Sequence, residues 1–439
     1  MYDGLPNVPY LTCTRGDPVA RYRQWREGLG AADGLLLVTF DLARGWLPGM
    51  PRLALTAIYC VSNGSLRLAV TDRRLTAECP TPLTQYRQWQ RRYDLADVVP
   101  GEPLPLRPLP LPKPWGQEIW FTGVEARGVC CFEGNGAGRG ETPIPWLQAV
   151  LPDASAGRAG EPLILVKILD PVPEPVTGDL YFELHEQKRE IYVVTRVDPA
   201  AWPDGTGYIR YGFCPERLAS CATEAQFRTE FLAAVNAYEA VRRRLDDLPQ
   251  GVEAPAAWRA RELRLRERME GYTLRRPLRR GDVLSIPLLV PHALQHGVRT
   301  IEIQTPVYER MILSFAQKVL TQDHWDTAAA VTKMRLRPPV ENPPEYLRRG
   351  GGIEVERIAH CREFEVRRVR LDAGRVLSLA LDDHYALLIV IAGEVDLDGR
   401  SYAAEQAVLL PRGWRGAVAP AGDSRQPVFL LTLPRGPNG

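Results

Sequence analysis

Glycine and proline interrupt this chain so often that few long regular elements can form. There are 37 Gly and 39 Pro in 439 residues. Proline breaks helix interiors and central strands, and glycine weakens both. Between the breaks lie short apolar runs at 34–40, 52–59, 66–71, 191–197, 283–286, 366–371 and 386–395. Many short strands with frequent turns predict a mainly β chain built as sandwiches or barrels. The composition, 45% apolar and 25% charged, excludes disorder, a coiled coil and a collagen-like fibre.

Charge excludes other classes. The chain carries 55 basic and 53 acidic residues, a net charge of +2. No excess steers it to nucleic acid or to an anionic membrane. Lysine is confined to positions 113, 167, 188, 318 and 333, and arginine supplies the other basic residues. No apolar run approaches the roughly 20 residues that span a bilayer. The first residues show neither a basic nor an apolar signal region. The eight cysteines form no C-x-x-C pair. These features predict a cytoplasmic protein with reduced thiols.

Two proline-rich stretches predict boundaries. Residues 100–114 hold seven prolines and read as a stiff, extended connector. Residues 337–346, followed by glycines 350–352, set off the last segment. The expected organisation is an N-terminal β-rich region over 1–99, of no assigned role, the connector, a domain over 115–336 and a C-terminal domain over 350–439. Phe227, Phe231, Val235, Tyr238, Val241 and Leu245 recur at helical spacing, with Thr223 and Gln226 as a capping box. A second, arginine-rich helix is expected over 256–269. Residues 222–272 therefore read as a helical insertion. The phrase Tyr-Arg-Gln-Trp occurs at 22–25 and again at 86–89, too short to establish a repeat. The glycine-rich run 134–140 lacks the Gly-Lys-Ser/Thr of a phosphate loop and reads as a flexible loop.

The segment 181–194 carries the chemistry. On a strand, Phe182 and Leu184 point one way into a core, and Glu183 and His185 point the other. The polar residues 186–189 can turn the chain, and Glu190 begins the next strand. Carboxylate, imidazole and carboxylate form a ligand set for a divalent metal. About a hundred residues later, a strand and a Pro-bearing turn lead to His292, a fourth ligand. Only six histidines exist in the chain.

These phrases resemble the paired motifs of the cupin superfamily. Glu183, His185 and Glu190 occupy the positions of its first His-x-His…Glu motif, with Glu in place of the first His. Gly281, Pro287 and His292 match the second, with Leu289 in place of a Gly. Over roughly residues 111–434 the chain resembles, more particularly, the type I mannose-6-phosphate isomerases (phosphomannose isomerases). The segment 163–170 is similar to the strand before that family's Gln-x-His motif. Lys188 and Glu190 match its Lys-Pro-Glu, and 290–293 its Thr-Pro-His-Ala. The segment 301–304 and Arg310 match the following acidic strand and arginine. Residues 391–394 and 408–413 are similar to markers of its C-terminal cupin. The resemblance departs at Glu183, where the family has Gln, and in the short spacing from His185 to Glu190.

The resemblance implies two cupin-type β-barrel (jelly-roll) domains, the second without metal. It implies one divalent metal on Glu183, His185, Glu190 and His292, zinc first, with manganese or iron as alternatives. It also implies aldose–ketose isomerisation through an enediol, of mannose 6-phosphate to fructose 6-phosphate in the first instance. Glu302, Lys188 and Arg310 are the candidates for proton transfer and for holding enediolate or phosphate charge. The partner is then a small-molecule sugar or sugar phosphate. Two other readings stand beside it: a non-catalytic sugar-binding cupin, and a cupin isomerase, epimerase or oxygenase acting on another substrate.

Overall fold

The computed structural model describes residues 8–249, 251–320, 322–337 and 343–435. The chain start, read above for a signal region, and part of the second proline-rich stretch lie outside these residues. The described chain divides into two compact units. The first comprises residues 1–109, 121–164 and 344–439, and the second 110–120 and 165–343.

In the first unit, one four-stranded sheet runs through Leu11–Arg15, Gly34–Leu42, Leu53–Ser62 and Ser65–Thr71. The two Tyr-Arg-Gln-Trp phrases lie not on strands but on the helices Pro18–Leu29 and Pro82–Tyr93. Each helix is launched by an N-cap side chain, Asp17 or Thr81, followed by a proline in the first turn. The last third of the chain builds a four-stranded sheet and six strands of a nine-stranded sheet, whose other three are Leu104–Leu106, Cys131–Glu133 and Glu141–Pro143. Side chains from both, including Val369, Leu388, Phe429, Val395 and Val418, form one core. The proline-rich connector is extended and pairs: Leu104–Leu106 joins the nine-stranded sheet, and Leu109–Lys113 edges the six-stranded sheet of the second unit.

The second unit contains two open antiparallel sheets. The six-stranded one runs in the order Val283–Ile286, Glu190–Val197, Val298–Gln304, Leu165–Pro171, Gly116–Trp120, Leu109–Lys113. The five-stranded one runs Thr273–Leu278, Gly207–Phe213, His292–Leu294, Phe182–Leu184, Met311–Ser314. Tyr192, Val194 and Leu284 of the first meet Ile209, Tyr211, Leu294 and Ile312 of the second in a shared core. None of the described sheets closes on itself, so the barrels expected from the resemblance are pairs of facing open sheets.

The helical insertion covers the other face of the five-stranded sheet. Thr223 Oγ1 accepts the Gln226 N–H at 3.1 Å and starts the helix Glu224–Asp246. A second helix, Ala256–Glu270, follows. Phe227, Phe231 and Tyr238 pack on Phe182, Leu184 and Phe213, whose strands present alternate residues to this side. The eight cysteines are free thiols. Among the described residues, no helix is long and apolar enough to cross a membrane.

Candidate metal centre

Strand alternation places the site. Phe182 and Leu184 enter the helix-side core, so Glu183 faces the opposite way. Ala293 likewise faces the helices, and His292 faces inward between the sheets. Glu183 and His292 lie directly opposite each other on neighbouring strands. His185 follows one residue beyond the strand end. Donor atoms of Glu183, His185 and His292 all lie within 4.8 Å of one another.

Glu190 reaches the same place from the other sheet. Its strand pairs with Val283–Ile286 and Val298–Gln304, not with Phe182–Leu184. The segment 186–189 is therefore no hairpin turn but a crossing between sheets. Glu190 Oε1 lies 3.3 Å from His185 Nε2, and Oε2 lies 3.2 Å from His292 Nε2. Lys188 Nζ sits 2.7 Å from Oε1, and the Tyr192 hydroxyl donates to Oε2 at 3.0 Å.

The Pro-bearing turn before His292 holds a local surprise. Leu289 stands where the cupin pattern has Gly and adopts the left-handed backbone, φ 66°. That conformation costs a leucine about 1 kcal/mol. Its N–H donates to the His185 carbonyl at 2.8 Å, and its side chain packs against the helix-side core. Those contacts offset the strain and tie the two histidine-bearing segments together.

The hydrogen bonds of the two imidazoles fix which ring nitrogen faces the cluster. His185 Nδ1 lies 3.0 Å from the Glu309 carbonyl, and His292 Nδ1 lies 3.1 Å from the Val290 carbonyl. A carbonyl only accepts, so each Nδ1 carries the proton. A neutral imidazole then presents a bare Nε2 lone pair. Both lone pairs face carboxylate oxygens rather than donors. His185 Nε2 and Glu183 Oε2 are buried without a hydrogen bond. The two imidazole nitrogens and the Glu183 carboxylate converge in a set that suits a divalent cation, with Glu190 beside both imidazoles.

Electrostatics sets the protonation of the candidate ligands. Burial and the Lys188 charge push His185 well below the usual imidazole range, so it stays neutral. Burial would raise Glu190, but the Lys188 ammonium 2.7 Å away outweighs it and holds the carboxyl well below the usual range. Glu302 behaves oppositely: burial and the Glu190 charge push it well above the usual carboxylate range.

The three further candidates surround this cluster. Lys188 is bound to Glu190. Glu302 lies across from Lys167 and Tyr192 in the six-stranded sheet, with Lys167 Nζ 3.1 Å from Oε2. Arg310 Nη1 is 3.6 Å from Glu183 Oε2, with its guanidinium 4.5 Å from the centre of the Tyr181 ring.

Several residues here escaped the sequence reading. Glu118, bound by the Trp120 indole N–H at 2.6 Å, lies 3.4 Å from Lys113 and 3.8 Å from Lys167. Burial would lower Lys167, but Glu118, Glu302 and Glu190 keep it charged. A signal existed: three of the five lysines, in a chain that otherwise uses arginine, meet on this face. Glu309 was missed as well, though it sits beside Arg310.

The chain matches no protein-family model, and no curated protein resembles it in sequence. Solved structures do resemble it. The mannose 6-phosphate isomerase of Bacillus subtilis superposes with a TM-score of 0.55 at 15% identity, over 75% of this chain and 99% of that one. A zinc-bound mannose 6-phosphate isomerase gives 0.53 at 12%, over 76% and 100%. The apo enzyme of Salmonella typhimurium gives 0.52 at 12%, over 76% and 99%. The chain thus shares the fold of the mannose-6-phosphate isomerases, a cupin-type β fold.

Proposed function

We propose that this protein is a metal-dependent aldose–ketose isomerase, with mannose 6-phosphate and fructose 6-phosphate as its substrate pair. The observation that carries this reading is the convergence of Glu183, His185 and His292 within 4.8 Å, on a fold shared with mannose-6-phosphate isomerases. Glu183, His185, Glu190 and His292 would hold the metal, zinc in the first instance. When bound, it would supply Lewis-acid polarisation of the sugar oxygen beside the migrating proton.

The chain's own groups then do the rest. Isomerisation needs a proton taken from C2 and returned to C1 through an enediol. Glu302 and Lys188 are the two candidates for this: Glu302 as carboxylate, or Lys188 as free amine, would take the C2 proton and, once protonated, return it to C1. Burial and the Glu190 charge push the Glu302 carboxyl upward, which suits it to exchange a proton during the reaction. Lys188 carries positive charge beside Glu190 and can offset enediolate charge. Arg310, next to Glu183, is the group suited to hold a phosphate or the enediolate oxygen. Free thiols accord with the cytoplasm as the place of action.

The test is direct. Purified full-length protein is loaded with zinc or manganese and assayed for fructose 6-phosphate formed from mannose 6-phosphate, then against a panel of free aldoses and ketoses. Turnover supports the reading. Silence across the panel, with metal bound, overturns it. Loss of turnover in Glu302→Gln with retention in Lys188→Gln would assign the proton transfer to Glu302, and the reverse to Lys188.

A further inference from the structure

The crossing 186–189 carries a metal-ligand candidate at either end and Lys188 within it, yet belongs to neither sheet. One carboxylate oxygen holds three of its four amides, and Thr305 Oγ1 accepts the fourth, from Arg189, at 3.0 Å. Glu309 Oε1 accepts the backbone N–H groups of Glu186, Gln187 and Lys188 at 2.9, 2.9 and 3.1 Å. Three successive amides converging on one anionic atom make a backbone nest, here filled by the protein's own side chain. The same residue acts a second time, because its carbonyl oxygen takes the His185 Nδ1 proton at 3.0 Å. That bond leaves His185 Nε2 bare and aimed at the cluster. The next residue, Arg310, faces Glu183 at 3.6 Å.

We propose that Glu309 is a positioning residue: it holds the crossing so that His185 Nε2 and the Lys188 ammonium meet Glu190 in the geometry that receives a cation. The proposal rests on the metal-centre reading above. Geometry matters more here than charge, because the amides need an acceptor at one place. Glutamine keeps an oxygen at that place. Aspartate keeps the charge but withdraws the oxygen by one methylene, beyond reach of three amides at about 3 Å.

The experiment compares full-length wild type, Glu309→Gln, Glu309→Asp and Glu309→Ala. Zinc affinity is measured by competition, and the histidine tautomers of metal-free protein by nitrogen-15 NMR. The expected result is a zinc affinity reduced roughly 10–100-fold in the Ala and Asp variants. The Gln variant should stay within about threefold of wild type. His185 should be a single Nδ1–H tautomer in wild type and Gln, and a mixture in Asp and Ala. If Ala fails to fold, the Gln–Asp order alone decides. The proposal is overturned if all variants bind zinc as wild type does. It is equally overturned if Gln falls as far as Asp, or if zinc affinity only tracks melting temperature. A wild type that binds no metal would end the metal-centre reading instead, while the tautomers would still decide the role of Glu309.

Discussion

Glu190 and His292 stand 102 residues apart in the chain, yet Glu190 Oε2 lies 3.2 Å from His292 Nε2. Each comes from a different sheet, so this contact closes the site across the interior. Removing the imidazole deletes one of the proposed metal-binding nitrogens. His292→Ala should lose zinc affinity by more than ~100-fold, beyond the ~10–100-fold that outer-sphere changes cost. Elemental analysis and a competition titration check it. Near-wild-type zinc content in this variant would remove His292 from the centre.

On the proposed metal-centre reading, Lys188 would make zinc binding tolerant of acid. Its ammonium holds the Glu190 carboxyl down, and the same charge, after burial, holds His185 down. A cation lowers the pKa of both an acid and a base beside it, so its removal raises both. Protonation of either group expels a metal. Lys188→Gln should therefore move the acid limb of zinc binding upward by about one pH unit, while binding at pH 8 changes little. Zinc titrations between pH 4 and 8 measure the limb. A downward shift, or none, contradicts this coupling.

Glu183 separates catalysis from binding. A carboxylate there adds negative charge beside the cation and weakens it as a Lewis acid. Glu183→Gln, the residue of the mannose-6-phosphate isomerases that the sequence resembles, should keep zinc with affinity lowered by no more than ~10-fold. Turnover per bound zinc should rise several-fold. Parallel metal analysis and steady-state assays check both. A silent wild type with an active Gln variant would instead mark the natural chain as a sugar-binding protein on an isomerase fold.

Alternation made part of this site legible. Phe182 and Leu184 against Glu183 and His185 is a strand pattern, and the structure keeps it. The partners across space were not legible. Residues 186–189 look like a hairpin turn, yet they cross between sheets, because pairing of Glu190 with Gln304 and Ile286 is decided by residues far along the chain. Glu118 and Lys167 were passed over for a different reason. A charged residue alternating with apolar ones reads as solvent-facing, and here the charged face is the interior. The helices bearing Tyr22 and Tyr86 were missed because four-residue phrases carry too little periodicity to announce a helix. Leu289 shows a motif glycine replaced where packing offsets a left-handed backbone.

The glycine-rich run 134–140 has a structural purpose that its composition hides. It wraps around Asp97, which is fully buried. The Asp97 carboxylate accepts Arg67 at 2.6 Å, the Ala137 N–H at 2.8 Å and the Tyr86 hydroxyl at 3.1 Å, and its carbonyl takes the Asn135 and Gly136 amides. Side chains would not fit there: a Cβ on Gly136 would lie 2.2 Å from Asp97 Oδ2, and one on Gly140 would lie 2.1 Å from the Asp94 carbonyl. The segment is a packed cradle for an internal anion, not the flexible loop its sequence suggests. Asp97→Ala leaves three donors without an acceptor and should cost about 3 kcal/mol, read as a lower denaturation midpoint at unchanged slope. Asp97→Asn keeps the shape and loses the charge, and should cost about half as much. Zinc affinity should be unchanged in both, since none of these contacts reaches the metal ligands. A loss under about 0.5 kcal/mol in the Ala variant would show that the cradle holds without its anion.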